Sequence, residues 1–162
     1  MKLPVSDFKW VKKKKYAKNP LHFINKINVE GKKGYLLEVD LLYPKKIQKK
    51  HKHFPLAPHT VEIKYENLSP YAQDALIKTG GKKNYKSQKL IGSFLPREKY
   101  VLHIKNLKMY LKLGMKLKKV HRILQFKQEA FLKPYIDLCT EKRRNAMTKF
   151  EKNFYKLMCN AG

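Results

Sequence analysis

The residues best suited to chemistry form a stripe of polar and cationic side chains near the C-terminal end of the sequence. Lysine is a mobile point charge and arginine a planar fork, so a helical stripe of such residues suits the phosphates of a nucleoside triphosphate. Residues spaced by four share one face of a helix, and the members of the stripe are Arg144, Thr148, Lys152, Lys156 and Asn160. Lys149 lies three residues before Lys152.

A solvent-exposed stripe in a lysine-rich protein is the alternative interpretation of this spacing, and composition alone favours it. Like charges four residues apart weaken an isolated helix by ~0.2–0.5 kcal/mol per pair, a cost that a polyanionic ligand would reverse. The other side of the same helix is apolar, and we expect it to pack. Its residues are Phe150, Phe154, Leu157 and Met158.

Composition indicates a folded basic protein with an anionic partner. The 162 residues include 38 Lys and Arg against 12 Asp and Glu, which gives a formal net charge of +26, and 43% are hydrophobic. Such a charge is self-repulsive unless a polyanion neutralises it, which leaves nucleic acid or an anionic membrane as partner. No stretch approaches the ~18 apolar residues that span a bilayer, and Lys12–Lys15 interrupt any signal-like segment. We therefore expect nucleic acid and no membrane.

The elements that must position these residues indicate an α+β fold, with a mainly antiparallel sheet region followed by a C-terminal helical hairpin. Residues 1–33 read as irregular, and residues 96–98 as a short turn that joins two strands into a hairpin. Helical spacing from 105 ends at Gly114, and a break near 140–145 divides the last helical segment. We place a boundary near 105, giving regions 1–104 and 105–162. Strands are predicted at 35–43, 60–65, 89–95, 99–104 and 115–126, and a short helix at 70–78.

The cysteines and histidines give little indication of a metal site. Cys139 and Cys159 form no C-x-x-C pair, so we expect buried free thiols, consistent with an intracellular protein. His51, His53 and His59 could chelate a transition metal, but exposed polar histidines in a lysine-rich loop are the favoured interpretation.

Several segments of the sequence resemble those of protein-primed family B DNA polymerases of viruses, linear plasmids and self-synthesising transposons. The Gly-Tyr-Leu-Leu-Glu-Val-Asp-Leu-Leu-Tyr-Pro run at 34–44 and the Pro-Leu-Ala-Pro run at 55–58 are distinctive. The segment 156–162 resembles the start of the second conserved motif of that family, although Ala161 stands where a serine is usual. The similarity covers nearly the whole chain.

The resemblance implies roles for several residues. Lys156 would contact the phosphates of the incoming nucleotide, Asn160 would lie beside the nascent base pair, and Arg144, with Arg143 as the alternative, would bind a second phosphate. The cations expected to bind DNA are Lys82, Lys83, Lys86, Lys149 and Lys152.

The family transfers nucleotides with two metal ions held by aspartates, and neither aspartate motif is found in this sequence. Mg²⁺ is therefore expected in an intact polymerase, with no cofactor bound by this chain alone. Asp40, in a stretch that imitates the first catalytic motif, is interpreted as part of a structural strand, with a metal ligand as the less favoured alternative.

The resulting hypothesis is a fragment of a DNA-directed DNA polymerase that is inactive alone. Its expected partners are template–primer DNA, a deoxynucleoside triphosphate and a terminal priming protein. The alternative hypothesis is a non-enzymatic basic nucleic-acid-binding protein. An intracellular location is expected, with the nucleus and a viral replication site both open.

Overall fold

The structure is a computed structural model that describes residues 2–161. Within this range, strands and helices follow one another with short 3-10 turns at Lys13–Lys15 and Tyr65–Asn67. The strands are β1 (Leu3–Trp10), β2 (Lys33–Leu42), β3 (His59–Lys64), β4 (Lys86–Ile91), β5 (Arg97–His103) and β6 (Lys116–Glu129). The helices are α1 (Pro20–Lys26), α2 (Lys45–Gln48), α3 (Pro70–Lys78), α4 (Ile104–Lys112), α5 (Lys133–Asn145) and α6 (Lys149–Ala161).

The strands form a four-stranded sheet and a separate ribbon of two strands. The order in the four-stranded sheet is β1-β6-β2-β5, and the ribbon pairs β3 with β4 antiparallel. Helices α5 and α6 follow the last strand and pack against each other. The predicted α+β class, with antiparallel strands followed by C-terminal helices, is confirmed. The chain divides into two compact units, Met1–Leu36 with Ile123–Gly162, and Leu37–Arg122. The predicted boundary near residue 105 stays a prediction.

In the first unit, strand β1 pairs antiparallel with β6, from Leu3 opposite Glu129 to Trp10 opposite Leu124. The register shifts twice along β1, between Pro4 and Ser6 and between Ser6 and Lys9, and Asp7 in the second shift has a φ of 58° in the left-handed region. Such an irregularity bends a strand and interrupts regular pairing locally. The buried apolar residues of this unit are Tyr16, Ile24, Ile27, Ile123, Phe126 and Cys139.

Gly34 allows β2 to approach β6 closely in the same unit. A Cβ atom at this position would lie 2.1 Å from Cε2 of Phe126 and 2.6 Å from Oε1 of Gln128. Both neighbours are buried, Phe126 at 0% and Gln128 at 2% exposure, so neither can easily move aside. Only glycine fits here without a shift of these buried neighbours.

In the second unit, alternate residues of β2 point into the core. Leu37, Val39 and Leu41 are fully buried, together with Ile104 and Leu107 of α4. This alternation is the period of two that a strand imposes on its side chains. Helix α4 ends as the sequence predicts, because Gly114 adopts a φ of 104° just beyond it.

Arg97 is a buried cation that organises the loops of the second unit. Its side chain is 1% exposed, and Nε donates to the carbonyl oxygen of Ala57 at 2.6 Å. Its other nitrogens donate to the carbonyl oxygens of Leu56, Ser93 and Leu95. One guanidinium thereby joins the segment 55–58 to the segment 93–97. It also donates hydrogen bonds to carbonyl groups that would be costly to bury without a donor.

The turn predicted at 96–98 is wrong. Strand β4 pairs with β3, from Lys86 opposite Lys64 to Ile91 opposite His59, while β5 lies in the four-stranded sheet. The two strands therefore form no hairpin. The reason is Arg97, which was interpreted as a turn residue but is buried and holds the chain before it against residues 56 and 57.

The irregular structure predicted for residues 1–33 is also wrong. This region contains β1 and α1, the latter begun by the Asn19 side chain, whose Oδ1 accepts from the backbone N–H of His22 at 3.0 Å. Strand β1 is exposed at most positions, so it lacks the alternation of apolar and polar residues that identifies a half-buried strand.

We expect Gly34→Ala to lower the free energy of unfolding by ~1–3 kcal/mol, because the added methyl group overpacks the site beside Phe126. Urea denaturation measures the change. Gly92→Ala is the matched control, since its Cβ atom would make an ordinary contact of 3.4 Å with Pro55, and we expect a change within ~0.5 kcal/mol. Equal stabilities of the two variants would contradict the close approach of β2 and β6.

Candidate nucleic-acid interface

Helices α5 and α6 form the predicted hairpin, but the break between them lies at 146–148, just after the predicted 140–145. Thr148 Oγ1 accepts from the N–H of Glu151 at 3.1 Å, and the Glu151 carboxylate accepts from the N–H of Thr148 at 3.1 Å. This is a capping box, and it determines where α6 begins. The spacing Thr-Lys-Phe-Glu at 148–151 is a sequence signal that could have located the break.

The structure separates the predicted stripe into two parts. Arg144 lies in the last turn of α5, Thr148 caps α6, and only the remaining members lie on α6. The single continuous helical stripe is therefore wrong. The Tyr135 hydroxyl of α5 donates to the Met158 carbonyl of α6 at 2.8 Å. Counting along both helices from this hydrogen bond places Arg144 level with Lys149.

Arg144 and Lys156 are consequently about two helical turns apart. Seven residues separate the level of Arg144 from Lys156, which is ~10 Å at the rise of an α-helix. Both side chains are exposed, as are Lys149, Lys152 and Asn160. A ligand that contacts both Arg144 and Lys156 must lie along the hairpin. The nucleotide and DNA roles of these residues stay predictions.

The apolar side of α6 does not pack as expected. Phe150 is 78% exposed and Leu157 is 67% exposed, and the rings of Phe150 and Phe154 stack on each other with centroids 6.5 Å apart. Tyr155 and Cys159 of the same helix are half-buried. Helix α6 thus presents both a cationic and an apolar surface.

The three lysines predicted to bind DNA in the second unit lie at one end of the β3–β4 ribbon. Lys82 and Lys83 are exposed in the loop before β4, and Lys86 is its first residue. Lys86 lies directly opposite Lys64 across the ribbon, and both are exposed. Like charges directly opposite each other destabilise a strand pair. We call Lys64, Lys82, Lys83 and Lys86 the ribbon cluster. In the part of the chain that the structure describes, its members form no ion pair.

Sequence reasoning missed a concave site in the first unit. A groove of about 750 Å³ is formed by the 3-10 turn at Lys13–Lys15, helix α1 and the start of β2. The run of lysines at 12–15 could be a phosphate contact, although a solvated loop is the more common interpretation of an isolated run; Lys14 and Lys15 line this groove. The other lining cations form no run longer than two residues and gave no signal; they are Lys18, Lys26 and the adjacent Lys32 and Lys33.

Asp40 is held in place by hydrogen bonds. Its Oδ1 accepts from the backbone N–H of Lys99 at 2.8 Å and lies 2.7 Å from Nε2 of His121. The bond from Lys99 is the main cause that lowers the pKa of the Asp40 carboxyl, with His121 and Lys119 adding to it and burial opposing it. Lys99 itself has a φ of 47°, so Asp40 stabilises an unfavourable turn of the backbone. This structural role agrees with the interpretation of 38–44 as a strand.

The histidines proposed as chelators have separate partners. His51 Nδ1 lies 2.7 Å from the Tyr43 hydroxyl, and His59 Nε2 lies 2.9 Å from the Ser93 hydroxyl. His51 is buried, contrary to the exposed loop residue that was expected. Among residues 2–161, no group of three or more His, Cys, Asp or Glu side chains could hold a metal ion. Both cysteines are free thiols, Cys139 buried and Cys159 half-buried.

Comparisons with known proteins do not identify the chain. No family model, curated protein or solved structure matches it. The resemblance to family B polymerases therefore stays a prediction from the sequence. No helix within the described range has the length and apolar character that crossing a membrane requires.

We expect Asp40→Asn to reduce the loss of stability in acid. A carboxyl whose pKa is lowered by folding stabilises the protein above its ordinary pKa of 3.8, and this contribution disappears as the pH falls through the lower, folded value. Asparagine keeps both hydrogen bonds but cannot titrate. Urea denaturation from pH 6 to pH 2 should show a shallower decline for the variant. Parallel curves for wild type and variant would contradict the role of Asp40.

Proposed function

We propose that this chain is a DNA-binding segment of a protein-primed family B DNA polymerase, which binds template–primer duplex and an incoming deoxynucleoside triphosphate without catalysing transfer by itself. The proposal rests on the sequence segments 34–44, 55–58 and 156–160, together with the net positive charge of the chain. The observation that carries its DNA-binding part is the ribbon cluster, in which Lys64 and Lys86 lie opposite each other and, among residues 2–161, form no ion pair.

The arrangement of the ribbon cluster suits a duplex backbone. A two-stranded ribbon is narrow enough to follow a groove of DNA, and lysines at its end can contact phosphates on either side. Each phosphate contact releases condensed counterions, which would offset the repulsion between Lys64 and Lys86. The same charges without a polyanion would only destabilise the ribbon.

The α5–α6 hairpin supports the second part of the proposal. Arg144 offers a planar fork near one end of the hairpin and Lys156 a point charge about two turns away, both exposed. A triphosphate with its nucleoside is an extended anion, which can lie along such a pair of cations. Mg²⁺ would be held by the aspartates of an intact polymerase, whose two motifs are not found in this sequence.

A non-enzymatic nucleic-acid-binding protein is the second candidate. The observation that favours it is the spread of exposed lysines over both units of the chain, in the ribbon cluster as well as along the groove and α6. Such a protein would bind the phosphate backbone throughout and would have no preference for a nucleoside triphosphate. The two candidates therefore differ in triphosphate binding.

We expect Lys82→Gln/Lys83→Gln/Lys86→Gln to weaken binding to a duplex and to reduce its salt dependence. Removing one lysine–phosphate interaction lowers the slope of log affinity against log salt by ~0.9, so the triple change lowers it by up to about 3. Fluorescence anisotropy of a labelled duplex at several salt concentrations measures both quantities. The matched control, Lys112→Gln/Lys116→Gln/Lys118→Gln, removes the same charge from exposed positions outside the ribbon cluster. Equal salt slopes for the two variants would show that the ribbon cluster does not contact the duplex.

We expect Lys156→Ala to weaken binding of a deoxynucleoside triphosphate by about tenfold or more, because a charge-assisted contact with phosphate contributes ~1.5–3 kcal/mol. Isothermal titration of the full chain with dTTP and Mg²⁺ measures this, and Lys116→Ala is the control for removal of one exposed charge. Unchanged affinity in Lys156→Ala would contradict the nucleotide role. Absence of triphosphate binding by the wild type would favour the non-enzymatic candidate.

A further inference from the structure

The groove of the first unit combines a cationic rim with an aromatic wall. Lys14 and Lys18 precede α1, and Lys26 is the last residue of that helix. Phe23 and Tyr35 line the same groove. The volume of about 750 Å³ is typical of a pocket that holds a nucleotide-sized group. A duplex is too wide to enter such a space, and its stacked bases have no free faces.

Three lysines on the rim of the groove have no carboxylate partner in the described part of the chain. Among the residues that the structure describes, no carboxylate lines the groove, and Lys14, Lys18 and Lys26 form no ion pair. These lysines are all exposed at their positions around the rim. Clustered cations in a concave site raise the local concentration of anions, and phosphate groups are the anions that lysine binds as a point charge.

The aromatic wall is rigid and uncharged. Phe23 and Tyr35 are half-buried and meet edge to face, with centroids 6.2 Å apart and planes at 87°. The Tyr35 hydroxyl donates to Oε1 of Gln125 at 3.3 Å, and burial raises the pKa of Tyr35 above its ordinary value. Such side chains provide surfaces on which bases stack without regard to sequence.

The loop that closes one end of the groove is fixed from a distant part of the chain. Gln128, which is 2% exposed, donates through Nε2 to the carbonyl oxygens of Val29 at 3.0 Å and Gly31 at 2.9 Å. Its backbone N–H donates to the carbonyl oxygen of Lys32 at 2.9 Å. Asn28, within the same loop, uses Oδ1 to accept from the N–H of Glu30, so its amide nitrogen is available as a donor to a base. The groove is therefore formed before any ligand binds.

We propose that this groove binds single-stranded DNA, with the lysines on its rim contacting successive phosphates and a base stacked on the aromatic wall. Cationic grooves that contain aromatic residues are the general means by which proteins hold a single strand. The inference rests on the proposed binding of nucleic acid, but it concerns a different site and a different form of DNA from the ribbon cluster.

The test compares two triple variants of equal charge. Lys14→Gln/Lys18→Gln/Lys26→Gln removes three rim cations, and Lys112→Gln/Lys116→Gln/Lys118→Gln removes three exposed cations that do not line the groove. Anisotropy of a labelled oligo-dT strand should show at least a tenfold loss of affinity for the rim variant and less than a threefold loss for the control. The salt slope for the rim variant should fall by up to about 2, at ~0.7 per phosphate of a single strand.

A second variant examines the aromatic wall without a change of charge. Phe23→Leu keeps an apolar side chain against Tyr16, whose ring is 6.1 Å away, but removes the flat face. We expect it to lower oligo-dT affinity about fivefold or more, since stacking of one base on an aromatic residue is a large part of single-strand binding. Thermal unfolding confirms that each variant is folded before its affinity is compared.

The outcomes separate this inference from the proposed function. If both triple variants lose oligo-dT affinity equally and Phe23→Leu binds like wild type, the groove is not a single-strand site. If the wild type binds duplex DNA but not oligo-dT, the inference is wrong and the proposed function stands. If it binds neither, the proposed function itself is overturned.

Discussion

Strand β2 is the element on which the rest of the structure depends. Its alternate residues Leu37, Val39 and Leu41 are fully buried, and Gly34 permits the close approach of Phe126. Of the intervening residues, Glu38 pairs with Arg122 of β6 at 2.6 Å, and Asp40 Oδ1 lies 2.7 Å from Nε2 of His121 on the same strand. One strand thus supplies apolar residues to the core and carboxylates to its neighbour.

This use of carboxylates has consequences for the other charges of the chain. Only 12 acidic residues accompany 38 Lys and Arg. Acids placed on the central strand, or in local pairs such as Asp74 with Lys78, cannot neutralise cations elsewhere. Most lysines therefore remain exposed, and they concentrate where the backbone brings them together, at the end of the ribbon and around the groove. The positive surface follows from the excess of 38 Lys and Arg over 12 Asp and Glu.

Local signals in the sequence predict the elements that local contacts determine. Helix α3 has the predicted bounds because Ser69 and Pro70 begin it through local geometry, and Gly114 ends α4 in the same way. Arg97 could not be predicted from its neighbours. Arginine is seldom buried, and the carbonyl groups that hold it belong partly to residues 56 and 57, some forty positions away. The error in the strand connection at 96–98 has this single origin.

The groove was missed for a related reason, while the residues of the hairpin were found but misplaced. Gln128 fixes residues 29–32 across a separation of nearly a hundred positions. A loop with no periodicity in its sequence is therefore ordered beside the groove. In the hairpin the types and spacing of Arg144 and Lys156 were evident, but the capping box at Thr148 and Glu151 divides them between two helices. Residue types near a site can be read from sequence more reliably than the directions in which their backbone turns.

The left-handed residues Asp7 and Lys99 affect how this protein behaves at high concentration. Each lies in an edge strand of the four-stranded sheet, Asp7 in β1 and Lys99 in β5. An edge strand with unpaired N–H and C=O groups is a template for the strand of another molecule, and irregular backbone and charged side chains prevent such pairing. The bend at Asp7 and the positive φ at Lys99 interrupt both templates. We expect these two irregular edges to disfavour edge-to-edge pairing between copies of the chain.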